Sequence, residues 1–261
     1  MNENTNPYAP PQANVKLAKP LVVGELLATP RSVSVGAGMG WLLQSWPLVK
    51  KDLGIWVLIT LTLLAFELIA VFIPLVGSLI LGILMPVFTG GLLLGIQAAE
   101  KGQPLAFESL FAGFQTKLSP LAILGLLNFV IFLALVIVFM SSAVVVAVVT
   151  GASPNPEDQY AGLLIVFLFI AGFLLFLAFF ILTFLIWLAI PLVTLHHLPI
   201  AEALKLSWTA SLRNFFSLFV FAIFAAILIF LGAVPLFLGL LIVVPLLYVS
   251  LYKSYQALFL Q

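Results

Sequence analysis

Six apolar runs constrain this chain more than any other feature. Each is near or above the ~20 helical residues that a ~30 Å hydrocarbon layer demands at ~1.5 Å per residue. They run from about Leu53 to Ile73, Leu75 to Gln97, Leu118 to Val149, Ala161 to Ile190, Phe215 to Leu231 and Val234 to Tyr252, and they fall into three pairs. The expected class is all-α: a polytopic integral membrane protein with six transmembrane helices in three hairpins. With 64% hydrophobic and 7% charged residues, the chain lacks the roughly one-quarter charge of an ordinary soluble surface.

The first pair is joined by a tight turn containing Pro74, and the third turns around Gly232. The two central runs are each ~10 residues longer than a bilayer needs, with a loop from Gly151 to Tyr160 between them. Strong tilt, a break near Ser141 and Ser142, or projection beyond the far surface would each absorb the excess, and the sequence leaves all three open.

Sidedness follows from the cations. Lys50, Lys51, Lys101, Lys117, Lys205, Arg213 and Lys253 all flank the same ends of the runs, whereas the longest loop on the other side carries Glu157 and Asp158. Cytoplasmic loops are enriched in Lys and Arg, so both termini are expected in the cytoplasm. Trp41, Trp46, Trp56, Trp187, Trp208, Tyr248, Tyr252 and Tyr255 lie mostly toward that same boundary, where amphipathic rings are most comfortable.

Each pair is preceded by a stretch with helical apolar periodicity. Phe107, Leu110, Phe111 and Phe114 fall at i, i+3, i+4 and i+7, with Glu108, Ser109, Gln115 and Thr116 opposite. Met39, Leu42, Leu43 and Trp46 repeat the stripe, and Ala201, Leu204 and Trp208 repeat it with Lys205 out of pattern. These read as interfacial amphipathic helices on the cytoplasmic side, with Trp46, Phe114 and Trp208 as interfacial anchors and the first two copies the most alike. Upstream, residues 1–35 are polar and carry Pro7, Pro10, Pro11, Pro20 and Pro30, which reads as a disordered cytoplasmic tail ahead of a six-helix domain at 36–261. The opening residues lack the basic and apolar regions of a cleaved signal peptide. Gly36, Gly38 and Gly40 miss the dinucleotide pattern because Trp41 stands where a third glycine belongs, so a hinge is the simpler reading.

Gly40 and Trp41, the run Gly54 to Trp56, Pro86 to Phe88, Glu100 to Pro104 (EKGQP), Leu110 to Phe114 (LFAGF) and the closing Tyr252 to Phe259 together resemble a bacterial family, the uncharacterised proteobacterial six-helix inner-membrane proteins. More distantly the chain is similar to the membrane domain fused to some glycerophosphoryl diester phosphodiesterases. The resemblance implies the membrane fold and a bacterial inner membrane. The near family brings no assigned reaction, and the soluble phosphodiesterase domain has no counterpart here, so no catalytic residues carry over.

Chemistry-bearing residues are few. Glu67 is the one formally charged side chain deep within a run, and such an acid costs a few kcal/mol unless paired or protonated. Thr89, Asn128, Ser141 and Ser142 are its plausible neutral polar partners, with Glu67, Asn128 and Thr89 forming the candidate intramembrane polar site. It reads either as a structural acid joining helices or as a proton or substrate site. Pro86 lies amid Gly77, Gly82, Gly90, Gly91 and Gly95, with Gly91 and Gly95 spaced as GxxxG. A kinked packing seam is the expected role, and a discontinuous helix lining a transport site is the sharper one. His196 and His197 are adjacent and therefore point apart on a helix, which suits a solvated or interfacial pair better than metal ligation. There is no HExxH, no GxSxG elbow and no pair of membrane aspartates, and the absence of cysteine removes thiol chemistry and thiolate metal sites. No cofactor or metal is expected. The net charge of +1, with scattered Lys and Arg, gives no footprint for nucleic acid.

The residues thus point to a non-enzymatic inner-membrane protein whose partners are membrane lipids or other inner-membrane proteins. The alternative is a small-solute or lipid transporter using a protonatable Glu67.

Overall fold

The computed structural model describes residues 24–73, 76–151 and 159–261. Pro74, the acidic pair Glu157 and Asp158, and the Pro10–Pro11 segment lie outside the described residues. In chain order come α1 (Ala37–Lys51), α2 (Leu53–Val71), α3 (Val76–Glu100), a 3-10 turn (Phe107–Phe111) running into the short α4 (Ala112–Thr116), α5 (Leu118–Gly151), α6 (Gln159–Leu195), α7 (Ile200–Arg213), α8 (Phe215–Ala233) and α9 (Leu240–Phe259). Six of these, α2, α3, α5, α6, α8 and α9, are long and apolar enough to cross a membrane, as a multi-pass membrane protein requires. Among the described residues the only strand-like pairing is an isolated bridge between Leu26 and Leu260.

The two central helices settle how the excess length is carried. Residues 141 and 142 lie inside an unbroken α5 of 34 residues, and α6 runs for 37. At ~1.5 Å per residue both are ~50 Å long, well beyond a ~30 Å hydrocarbon core. Projection or tilt therefore replaces a break. The Ser141 hydroxyl donates to the Ile137 carbonyl at 2.7 Å and so stays within its own helix. Likewise α3 runs through Pro86 as one helix, which removes the discontinuous-helix alternative.

Packing follows one order around the bundle. The helices α3, α6 and α9 touch one another at the centre. Outside them, α2 packs against α3 and α9, α5 against α3 and α6, and α8 against α9. The short elements obey the same rule: α1 lies on α9 and α8, the 3-10 turn and α4 lie on α3, and α7 lies on α6. Each therefore rests on the long helix that precedes it in the chain, with α9 serving that role for α1. One residue joins each short element to the next long helix, and its backbone conformation recurs: Asp52 at φ −123°, ψ 38°, Lys117 at φ −144°, ψ 33° and Asn214 at φ −115°, ψ 26°.

Small residues create these contacts. A Cβ on Gly38 would collide with the Ser217 carbonyl of α8, and one on Gly113 with the Val87 carbonyl of α3. Gly91 and Gly95 meet Ser109 of the 3-10 turn, so the GxxxG pair seats the short element between the first two helix pairs rather than another long helix. On α7 the buried residues are Ala203, Ser207, Ala210 and Ser211. Polar links add to the apolar ones: Ser45 and Ser250 hydrogen-bond at 3.0 Å between α1 and α9.

The stripe Met39, Leu42, Leu43 and Trp46 on α1 divides: Met39, Leu43 and Trp46 face outward, with Leu43 64% exposed, while Leu42 joins Gly38, Trp41, Ser45 and Val49 buried against α8 and α9. In element type the alike copies are α1 and α7, each a single α-helix, since the middle copy is split between 3-10 and α conformation.

Residues 24–35, expected to belong to a disordered tail, instead form a strap across the chain's own end. Leu27 N–H donates to the Phe259 carbonyl at 2.9 Å and Arg31 N–H to the Leu258 carbonyl at 2.8 Å. Arg213 Nη1 donates to the Pro30 carbonyl at 2.6 Å. Buried Asn214 accepts from Val33 N–H at 2.8 Å and donates to the Arg31 carbonyl at 2.8 Å. Proline opposes helix but keeps its carbonyl as an acceptor, so an extended strap tied by side chains suits this composition.

Candidate functional site

Glu67 stands 14 positions after Leu53, ~21 Å along α2 and about one turn before the helix ends at Val71. There Glu67 lines a cavity of about 390 Å³ with Thr60, Leu63 and Leu64 of α2, Met85 and Thr89 of α3, Trp187 of α6, and Val244, Leu247 and Tyr248 of α9. The volume falls within the range of small-molecule pockets. Thr60, Leu63, Leu64 and Glu67 stand at i, i+3, i+4 and i+7, so one face of α2 supplies its whole share.

Glu67 itself is exposed at the rim rather than buried in the bundle, and it makes no hydrogen bond or ion pair among the described residues. Thr60 and Thr89 lie behind it at 1% and 7% exposure. Each donates its hydroxyl proton to the carbonyl four residues earlier, Thr60 to Trp56 and Thr89 to Met85, both at 2.8 Å. Their lone pairs therefore remain for an occupant of the cavity. The Tyr248 hydroxyl lies beside Thr89 and within the electrostatic reach of Glu67.

The structure brings together two of the three expected polar residues, Glu67 and Thr89, and separates the third. Asn128 is exposed and lines a different cavity of about 200 Å³ with Thr183 and four apolar neighbours. The wall of α3 that carries Thr89 also carries Pro86, three residues away, while Gly91 and Gly95 face the 3-10 turn. Of the interfacial residues, Trp46 and Trp208 are exposed at 42% and 45%, whereas Phe114 packs edge-on against Phe88 of α3 with centroids 5.1 Å apart.

Sequence reasoning missed Thr60, Trp187 and Tyr248. The threonine was legible, since it and Glu67 are seven residues apart on one helix face. Trp187 and Tyr248 read as boundary aromatics, yet both line the cavity. Trp41, Trp56 and Tyr255 are buried against other helices.

Next to this cavity, α8 meets α6 through aromatic side chains rather than close backbone approach. Phe180 packs on Phe215 and Phe219 at 5.3 and 5.7 Å, and Trp187 stacks on Phe221 at 5.0 Å. Between the two helices lies an apolar cleft of about 310 Å³, and Trp187 and Leu247 line both the cleft and the Glu67 cavity.

At the cation-rich end one polar cluster links α3 to α9, while the buried Ser207 and Ser211 hydroxyls of α7 have no hydrogen-bond partner among the described residues. Glu100 forms an ion pair with Lys253 and accepts from the Tyr252 hydroxyl at 2.8 Å and from Gln256 Nε2 at 2.7 Å, tying the end of α3 to α9. His196 Nε2 and the Tyr255 hydroxyl hydrogen-bond at 2.5 Å. Burial, with a smaller contribution from neighbouring His197, pushes the His196 imidazole below its ordinary range. The pair is thus unequal: His196 is a half-buried structural partner, and His197 is exposed with φ 58°. No group of three or more His, Cys, Asp or Glu residues among the described residues is placed to hold a metal ion.

Comparison with protein-family models, with curated proteins and with solved structures found no match. The functional reading therefore rests on the geometry of the chain itself.

Proposed function

We propose that the chain is a non-enzymatic protein of a bacterial inner membrane that holds membrane lipid in the lateral cleft between α6 and α8. The observation that carries this reading is the cleft itself. Ala222, Ala225 and Ala226 of α8 face Phe180, Phe184 and Trp187 of α6. Small residues ordinarily let membrane helices approach closely. Here the aromatic side chains hold the helices apart, and the alanines leave an apolar slot open to the side, which suits an acyl chain.

In this reading the six long helices form three hairpins, and α1, the 3-10 turn with α4, and α7 lie along the cytoplasmic interface, each resting on the preceding hairpin. The three joints of matching conformation at Asp52, Lys117 and Asn214 support an internal threefold repeat. The one-sided Lys and Arg support cytoplasmic termini. The family resemblance, with its inner-membrane location, is consistent with this arrangement.

A lipid or small-solute transporter using Glu67 is the second reading, favoured by the meeting of Glu67, Thr89 and Tyr248 in one cavity. It ranks lower because Asn128 does not join them.

Native mass spectrometry of the full chain released from lipid nanodiscs tests the proposal. The wild-type chain should retain lipid, and Ala225→Trp, which fills the slot, should lose most of it while unfolding at a similar temperature. Equal retention by both chains would place any bound lipid elsewhere.

A further inference from the structure

The cavity beside the cleft is chemically one-sided. Glu67 offers two carboxyl oxygens without a hydrogen-bond partner among the described residues, and the Thr89 oxygen, whose proton is committed to the Met85 carbonyl, accepts rather than donates. Among the described residues no lysine, arginine or histidine lines the cavity. Its donors are the Tyr248 hydroxyl, which already has Thr89 beside it, and the Trp187 indole N–H. A ligand that completes such a site must bring donors and positive charge.

A primary ammonium, R–NH₃⁺, brings both, with three N–H donors on a compact cation. Charge-assisted hydrogen bonds are the stronger kind, and a carboxyl on an apolar helix is stabilised by a cation that also satisfies its lone pairs. The rings of Trp187 and Tyr248 add faces that attract a cation. Anionic heads meet the reverse: a phosphate or sulfate would face Glu67 with no basic side chain to receive it. Trp187 and Leu247 line both spaces, so the cavity adjoins the α6–α8 cleft, which is lined almost wholly by apolar atoms.

We infer that the cavity and cleft form one binding site for an alkyl amphiphile with a primary ammonium head, the head at Glu67 and Thr89 and the chain between α6 and α8. This rests on the proposed lipid-holding role of the cleft and adds the identity of the head.

The test is equilibrium binding to the full chain in maltoside micelles, with n-dodecylammonium, n-dodecyltrimethylammonium, n-dodecanol and dodecyl sulfate as probes. The wild-type chain should bind dodecylammonium about tenfold or more tightly than the trimethyl compound or the alcohol, the scale of one charged hydrogen bond, and dodecyl sulfate least. Glu67→Gln should abolish that preference while leaving the alcohol unchanged, and Ala225→Trp should weaken every alkyl probe. If dodecylammonium and dodecanol bind wild type equally and Ala225→Trp weakens both, the head assignment is wrong and the lipid cleft stands. If Ala225→Trp changes none of the probes, the chains are only partitioning into micelles, and the cleft reading fails with the head assignment. The ranking of heads on wild type decides the inference even where a variant folds poorly.

Discussion

Replacing Gly113 with alanine should destabilise the protein, although alanine is the better helix former. Gly113 is buried in α4, and a Cβ there would overlap the Val87 carbonyl oxygen and lie 3.1 Å from Gly91 N. Both neighbours are backbone of α3, so no side chain can rotate away. Overpacking of this kind costs ~1–3 kcal/mol, offset by at most ~1 kcal/mol of helix propensity. The net loss of roughly 1–2 kcal/mol corresponds to a melting temperature lower by about 2–8 °C for a chain of this size. Gly82 on α3 is the internal control, because a Cβ there meets nothing within 4 Å. Gly82→Ala should be neutral or raise the melting temperature by up to ~4 °C. Tryptophan fluorescence during heating in detergent reads both. The opposite signs are the test: if Gly113→Ala is as stable as Gly82→Ala, the short element does not seat on α3 through the Gly91 and Gly113 contact.

Further expectations follow from the strap, the histidine and the sidedness. Asn214→Ala leaves Val33 N–H without its acceptor and frees the Arg31 carbonyl, a loss of ~2 kcal/mol or more, and trypsin should then cut after Arg31 several-fold faster with the bundle intact. For His196, folding lowers the pKa, so the stability it contributes is full above the unfolded value near 6.5 and is lost as pH falls from there toward the folded value. Melting temperatures between pH 8 and pH 5 should therefore drop on the acid side by an amount that His196→Phe reduces. Cysteines introduced at Lys101 and Lys205 should react with a membrane-impermeant maleimide only after the cytoplasmic face is opened, and labelling in intact spheroplasts would reverse the topology.

The spans were readable from the sequence because length and hydrophobicity alone decide whether a helix crosses a bilayer. Which face of each helix meets protein was not. On α1 the apolar residues divide, with Met39, Leu43 and Trp46 pointing outward and Trp41, Leu42 and Val49 buried beside Gly38 and Ser45. In a membrane, lipid is as apolar as a protein interior, so an apolar stripe does not mark the packed side, and small residues mark it better. The middle copy behaves the other way, since Leu110 is fully buried and Phe111 and Phe114 pack on Phe88. The same ambiguity hid the separation of Asn128 from Glu67: α5 is apolar on every side, so its sequence carries no signal for the face that turns toward α6. Glu67 was legible for the opposite reason, because a lone carboxyl in hydrocarbon requires an explanation wherever it points. The strap was hidden by its composition, since proline-rich sequence reads as disorder until the partners at Asn214 and Phe259 are known.

Photocrosslinking tests the central claim, that lipid occupies the α6–α8 cleft, most directly. The full chain would be reconstituted with a phospholipid carrying a diazirine midway along one acyl chain, irradiated, and digested for mass spectrometry. The adducts should concentrate on the Phe179–Trp187 stretch of α6 and the Phe221–Ile229 stretch of α8 and decline several-fold in Ala225→Trp. Adducts spread evenly over the outward faces of α2, α5 and α8, and unchanged by Ala225→Trp, would contradict it.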